Sequence, residues 1–411
     1  MQTTKIMPMV ATALVVVVVL MAPHSACAAS TEKVLYSFTG ADGSFQPYSS
    51  LIFDKTGNLY GTTYGGSNGT VFELKTDNQG HWSETALFLF TGGSPYDSLI
   101  FDTKGNLYGT TSSGGTYGFG TVFELTPQVA TGNWTEKALY NFCAVTGRCL
   151  DGARPYAGLI FDKAGNLYGT TNSGGTHGAG TVFKLTRGAT GKWTKKTLYN
   201  FCSVTARCLD GGLPYAGLIF DKAGNLYGTT AIYGAGEGTV FELTRGAKGK
   251  WTEKVLYSFG GTKDGAFPFA GLIFDKAGNL YGTTSQGGLG KYGLGTVFEL
   301  KRGAAGMWTE KVLHRFDSKD GSIPYASLVF DGKGNLYGTT DMGGVYGKGT
   351  VFKLTRGAAG KWTEEVLHSF GNGADGRNPY GSLIFDKKGN LYGTTVKGGD
   401  TGAGTVFEFT P

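Results

Sequence analysis

The sequence predicts an all-β protein: seven four-stranded antiparallel blades closed into a β-propeller, the ring completed by the N-terminal strand. Three observations predict it. The hexapeptide Asn-Leu-Tyr-Gly-Thr-Thr begins at Asn58 and returns at Asn106, Asn166, Asn225, Asn279, Asn335 and Asn390, at spacings of 48 to 60 residues. Around each copy lie short runs of strand-forming residues separated by turn signals, with nothing at helical spacing. Finally, the seventh repeat stops three strands in, and Thr31 to Phe38 repeats Thr252 to Phe259 letter for letter.

Residues 214–259 show the unit most clearly. Pro214-Tyr215 leads into the apolar run Leu218 to Phe220, and Asp221 to Gly224 form a tight turn with Asp placed to accept backbone N–H bonds. Asn225 to Thr230 is the second strand, a glycine-rich loop follows, Thr239 to Thr244 is the third strand, and Trp251 to Phe259 is the fourth. All six tryptophans, Trp82, Trp134, Trp193, Trp251, Trp308 and Trp362, mark fourth strands. A unit that cannot bury its own faces must stack on its neighbours. A linear stack gains nothing from a split unit, whereas a ring uses the split to remove two exposed edges. Seven innermost strands must then converge on one axis through small residues: Ser49-Ser50, Ala157-Gly158, Ala216-Gly217, Ala270-Gly271, Ala326-Ser327 and Gly381-Ser382, with Asp97-Ser98 the one departure.

Composition agrees. The 71 glycines among 411 residues have no three-residue period, which excludes collagen, and the regular recurrence of Phe, Tyr, Leu, Ile and Val excludes disorder. The net charge of +6 is scattered through turns, with no basic run interleaved with aromatics, so nucleic-acid binding is not expected. Lys5, the apolar stretch Val10 to Met21 and the small-x-small site Ala26-Cys27-Ala28 read as a signal peptide over residues 1–28, leaving residues 29–411 as a single propeller without a transmembrane span. Secretion or periplasmic location and a monomeric state are expected. Four cysteines remain in two loops of matching spacing, which predicts the local disulfides Cys143–Cys149 and Cys202–Cys208.

The recurring block Asn-Leu-Tyr-Gly-Thr-Thr, then Gly-Gly, then Gly-Thr-Val-Phe-Glu/Lys-Leu resembles the GloVer (Gloeo/Verruco-type) tandem-repeat family of exported bacterial proteins, across all seven units. The shorter Asp-x-x-Gly-Asn-Leu-Tyr is also similar to NHL-type propeller repeats. The resemblance implies an exported, propeller-like array. It brings no established reaction and no catalytic residues.

Chemistry is sought first where repeats converge. The seven turn aspartates (Asp54, Asp102, Asp162, Asp221, Asp275, Asp331, Asp386) read as turn caps rather than a ring of metal ligands, and the Tyr of each Asn-Leu-Tyr as inter-blade packing. Loops joining a fourth strand to the next first strand open on the same face as those joining second to third. Six of the joining loops carry Asp-Gly (Asp42, Asp151, Asp210, Asp264, Asp320, Asp375) ahead of Pro-aromatic, the aromatics being Tyr48, Tyr96, Tyr156, Tyr215, Phe269, Tyr325 and Tyr380. Carboxylates beside aromatic rings suit a sugar, with Tyr96, Tyr156, Tyr215, Asp151 and Asp210 as ligand-binding candidates; the competing reading is that Asp-Gly makes the turn and the ring fills a gap.

Departures from the repeat are the catalytic candidates. The joining loop at Thr91 to Ser94 is shortened, Asp97 replaces a small residue, and the disulfide loops carry Arg148 and Arg207, with Arg154 nearby. His177 lies in the loop between them, so a notch holding Asp97, His177, Arg148 and Arg207 would supply a general acid or base. His314 and His368 replace the fourth-strand Tyr in adjacent blades and His81 sits in a turn; no His pair has metal-ligand spacing, and no cofactor or metal is expected. The function these residues support is a binding module for an extracellular carbohydrate or cell-envelope polymer, read through the loop face. A polysaccharide lyase or hydrolase using the notch is the second expectation, and a protein–protein scaffold the third.

Overall fold

The computed structural model describes residues 31–411 apart from 41–43, 67, 129, 146–147, 205–206, 289–292 and 304–305. The signal-peptide reading, with Lys5 and Cys27, and the joining-loop Asp42 fall outside the described residues. Among the described residues, seven antiparallel sheets follow one another along the chain, six of them in simple meander order, with short 3₁₀ turns as the only helical elements. The first blade comprises Ile52–Phe53, Leu59–Thr63, Thr70–Thr76 and Trp82–Leu89, and the next five repeat this plan. In the seventh, Ile384–Phe385, Leu391–Gly398 and Thr405–Thr410 are completed by Thr31–Ser37, which pairs antiparallel with the last strand from Thr31↔Thr410 to Ser37↔Thr405. Ring closure is therefore as the sequence predicts. The seventh blade also gains Gly376–Pro379, which pairs with Leu391–Gly398.

Each letter of the repeated hexapeptide has a physical task. The Asn side-chain amide donates to the turn aspartate four residues earlier, whose other oxygen accepts two backbone N–H groups, as at Asp221 (2.8 to 2.9 Å). That satisfies the turn without a metal, and the Asp162, Asp275, Asp331 and Asp386 turns repeat it. The Leu is fully buried in every blade. The Tyr ring meets the Phe of the next blade's innermost strand edge-on, with centroids 5.0 to 5.3 Å apart at all seven joints, Tyr392 on Phe53 included. The Gly lies against the third-strand Phe: a Cβ at Gly228 would sit 2.7 Å from the Phe241 ring, so no other residue fits.

The two threonines divide inward and outward work. In six blades the first reaches the segment leading into the next blade's innermost strand, as Thr170 does to the Ala216 carbonyl (3.1 Å) and Thr394 to that of Ser49 (2.9 Å), whereas the Oγ1 of Thr339 is buried without a partner. The second pairs with the opening Thr of the third strand, 2.8 to 3.0 Å apart in every blade. Every fourth strand also holds one extra residue against the third, always the Leu before the aromatic or His (Leu35, Leu87, Leu139, Leu198, Leu256, Leu313, Leu367). Such bulges add local twist, which a fan-shaped blade needs at its wide outer edge.

The N-terminal strand thus enters the same kind of interface as its siblings. Phe38 is fully buried and edges onto Phe72 of the first blade at 5.1 Å. Phe38→Ala is expected to cost about 3–5 kcal/mol in guanidinium denaturation, whereas the exposed Lys33→Ala stays within about 0.5 kcal/mol; equal effects would mean that the strand does not latch the ring.

Candidate functional site

The innermost strands leave an axial cavity of about 80 Å³. Its mouth is filled by the seven post-proline aromatics, each in contact with the next around the full circle, from Tyr48–Tyr96 (4.9 Å, stacked) through Tyr156–Tyr215 (5.4 Å, stacked) to Tyr380–Tyr48 (5.0 Å, edge-on). All seven are half-buried. Burial holds the phenols of Tyr96 and Tyr380 well above their ordinary value, so the ring stays neutral. Small-molecule sites typically measure about 300–1,000 Å³, so the axis has room for a few waters and not for a sugar.

Asp97 faces this cavity. Its carboxylate accepts from the backbone N–H of Ser98 (2.6 Å) and, across the blade boundary, of Gly158 (2.7 Å). Serine hydroxyls do the same elsewhere on the ring: Ser327 accepts from Gly271 N–H, Ser382 from Ser327 N–H and Ser50 from Ser382 N–H, each at 2.9 Å. The departure at Asp97 thus has a structural task, satisfying a neighbour's inner-strand N–H. Asp151 and Asp210 also turn inward on their own loops. Asp151 accepts from the Tyr140 hydroxyl (2.7 Å) and Ala144 N–H (3.1 Å), and Asp210 from the Tyr199 hydroxyl and Ser203 N–H (both 2.8 Å).

The joining loops and the second-to-third loops do share one face, bridged to each other at Ala153↔Ser173, Gly212↔Ile232 and Ser322↔Met342. The disulfides Cys143–Cys149 and Cys202–Cys208 are formed. Between them opens a cleft of about 860 Å³ lined by Arg148, Thr176, His177, Cys202 and Ser203, among others. Thr176, His177 and Ser203 also line a second groove of about 550 Å³ that runs past Lys196 and Tyr199 to Lys248, Lys250 and Trp251. His177 and Arg148 therefore line the same cleft. Asp97 is not among them, and Arg207, although exposed, lines neither space.

A further set of residues escaped the sequence reading. The second residue after each fourth-strand Trp is Glu in most blades, and it turns into the outer groove between blades beside the preceding joining-loop Asp. Burial first, then the Asp210 charge, pushes the Glu253 carboxyl up to about 8; burial, then Asp264, lifts Glu310 to about 7, and burial, then Asp375, lifts Glu32 to about 7. In the third blade Lys195 takes this place, with its ammonium on the Asp151 carbonyl and on Thr197 Oγ; burial lowers it to about 8 against the pull of Asp151. Between the fifth and sixth blades, His314, Asp320 and Glu364 gather with one ligand atom from each within 4.8 Å of the others. The signal available in sequence was the lone Lys195 in an otherwise acidic column.

These carboxyls link stability to pH. The folded protein keeps their protons up to about pH 7 to 8, whereas the unfolded chain releases them above about 4.5, so stability falls as pH rises through that window. His368, held low by burial against Asp375, acts oppositely only at more acid pH. In EDTA, the thermal midpoint should drop between about pH 6.5 and about pH 8, and Glu253→Gln should shrink that drop.

Comparison with known proteins agrees with this architecture. No curated protein matches the chain. Among solved structures it is similar to a polysaccharide lyase, an ulvan lyase bound to -[GlcA(1-4)Rha3S]- (12% identity, covering 92% of this chain and 95% of that one, TM-score 0.55). It is also similar to a protein from Lactobacillus plantarum (13%, 77% and 83%, TM-score 0.48) and to luciferin-regenerating enzyme (13%, 93% and 95%, TM-score 0.46). At such identities the likeness is one of fold. The Gloeobacter/Verrucomicrobia repeat matches residues 24–150, 144–303 and 234–411, and the chain belongs to that repeat family.

Proposed function

We propose that the protein is an exported binding module for an anionic carbohydrate or cell-envelope polymer, held in the cleft between the disulfide loops and along the groove that continues from it. The observation that carries this reading is the lining: Arg148, His177, Lys196, Lys248 and Lys250 with no carboxylate among the lining residues, and Tyr199 and Trp251 beside them. The two spaces fall in the size range of ligand sites, and together they form a trough suited to an extended chain rather than a compact molecule. Cationic side chains attract carboxylate or sulfate groups, and aromatic rings offer faces for sugar rings to stack on. Exposed apolar residues gather on the surrounding loops, among them Tyr117, Val145, Leu150, Val204, Leu209 and Tyr233, and add contact area at the rim.

A second reading is favoured by one observation: an exposed imidazole, His177, shares the cleft with the Arg148 guanidinium. A base and a carboxylate-neutralising cation so placed suit a lyase or hydrolase acting on the same polymer. New chain ends appearing during incubation, and lost in His177→Ala, would favour it over binding alone.

Binding is tested by affinity electrophoresis in a uronate polysaccharide and in its neutral counterpart. Preference for the uronate is expected, weakening with salt. The combined Arg148→Ala, Lys248→Ala and Lys250→Ala variant should bind at least about tenfold more weakly, while Lys388→Ala, exposed on the seventh blade, should not change it. Equal retention of the triple variant and wild type would overturn the proposal.

A further inference from the structure

We propose that His314, Asp320 and Glu364 form a divalent transition-metal site that clips the fifth and sixth blades together. The three residues come from separate segments: His314 from the outer strand Trp308–Arg315, Asp320 from the joining loop, and Glu364 from the outer strand Trp362–Ser369 of the next blade. One ligand atom from each lies within 4.8 Å of the other two, and among the described residues this is the one such His, Cys, Asp or Glu group. His314 Nε2 is already 2.9 Å from Asp320 Oδ2. Ligands about 2.0–2.2 Å from a zinc ion lie a little over 3 Å apart, so coordination needs only small side-chain shifts.

Two observations beyond proximity bear on what fills this groove. The Oε1 atom of Glu364 is buried without a hydrogen-bond partner, as are those of Glu32, Glu253 and Glu310 in sibling grooves, so each leaves an acceptor open to a proton or a cation, and among the described residues only at this joint do an imidazole and an aspartate converge on it. The third blade provides the internal comparison: in the equivalent groove the residue at the Glu364 position is Lys195, and its ammonium lies against the Asp151 loop, bonded to the Asp151 carbonyl. There the chain supplies a positive charge of its own. At the fifth-to-sixth joint it instead supplies a second carboxylate and an imidazole.

The imidazole sets both the class of ion and the location. Imidazole with carboxylates suits zinc, cobalt or nickel, whereas calcium and magnesium prefer oxygen alone. At the preceding joint Tyr257 stands where His314 does and binds Asp264 through its hydroxyl (2.9 Å), which leaves no nitrogen ligand. At the following joint the same three residue types recur as His368, Asp375 and Glu32, but their ligand atoms do not converge to 4.8 Å. One site is therefore assigned. All three ligands are half-buried or nearly so, which leaves a side open for water as a fourth ligand. A bound ion ties two blades together and stabilises the folded ring by mass action.

The test uses the full mature chain stripped with chelator and titrated with Zn²⁺ by calorimetry, with Co²⁺ absorption as a second readout. Wild type should take up one equivalent with a raised thermal midpoint, and Co²⁺ should give the intense visible bands of a low-coordinate site. His314→Tyr installs the residue that the fourth blade already carries, so it should fold, and it should bind at least about tenfold more weakly. His368→Tyr should bind as wild type does. The proposal is overturned by the lack of saturable uptake, by His314→Tyr binding like wild type, or by His368→Tyr alone abolishing uptake, which would place the ion at the following joint instead.

Discussion

The molecule depends on one contact made seven times: the tyrosine of each second strand laid edge-on against the phenylalanine of the next blade's innermost strand. A single four-stranded sheet of this kind has an apolar face with nothing to cover it. Each Tyr–Phe contact, with the buried Leu and Val around it, covers one blade with the next, and the energy is collected in full only when the seventh blade reaches the first. That is why the split unit matters. Pairing Thr31–Ser37 onto Thr405–Thr410 ties the two ends of the described chain by backbone hydrogen bonds, so the ring opens only if that ladder breaks.

Closure also decides which spaces stay open. Seven aromatic side chains brought to one axis fill it with one another, and the remaining space of about 80 Å³ is lined partly by groups that already satisfy neighbouring backbone N–H groups. The near-symmetric positions are thereby spent on structure. Asymmetry survives at the rim, where two disulfide loops stand beside one histidine-bearing loop and a cationic groove runs down between blades. The disulfides restrict the conformational freedom of the two loops whose residues Arg148, Cys202 and Ser203 line the cleft.

The outer grooves between blades carry a different economy. In several grooves an outer-strand carboxyl lies beside a joining-loop aspartate where burial raises it, as at Glu253 and Glu310; in the third blade Lys195 takes its place, and between the fifth and sixth blades an imidazole joins the pair. One backbone position thus presents three electrostatic solutions on a common frame. The frame tolerates them because the position is only half-buried, near the start of an outer strand.

Strand order, blade number and ring closure were legible in the sequence because they rest on local periodicity and on a repeat whose two halves complement each other. Asn225 to Thr230 reads as a strand alone, and Thr31 to Phe38 matches its siblings without reference to anything distant. The disulfides were legible for the same reason, being closed within six residues. Tertiary structure alone decided which side chains meet. It turned the joining-loop aspartates into their own loops, set Asp97 at the axis away from His177, and brought Glu364 to His314 across some fifty residues. Periodicity fixes which face of a strand a residue occupies, but which neighbour it meets depends on how blades are angled around the ring, and no single repeat contains that angle.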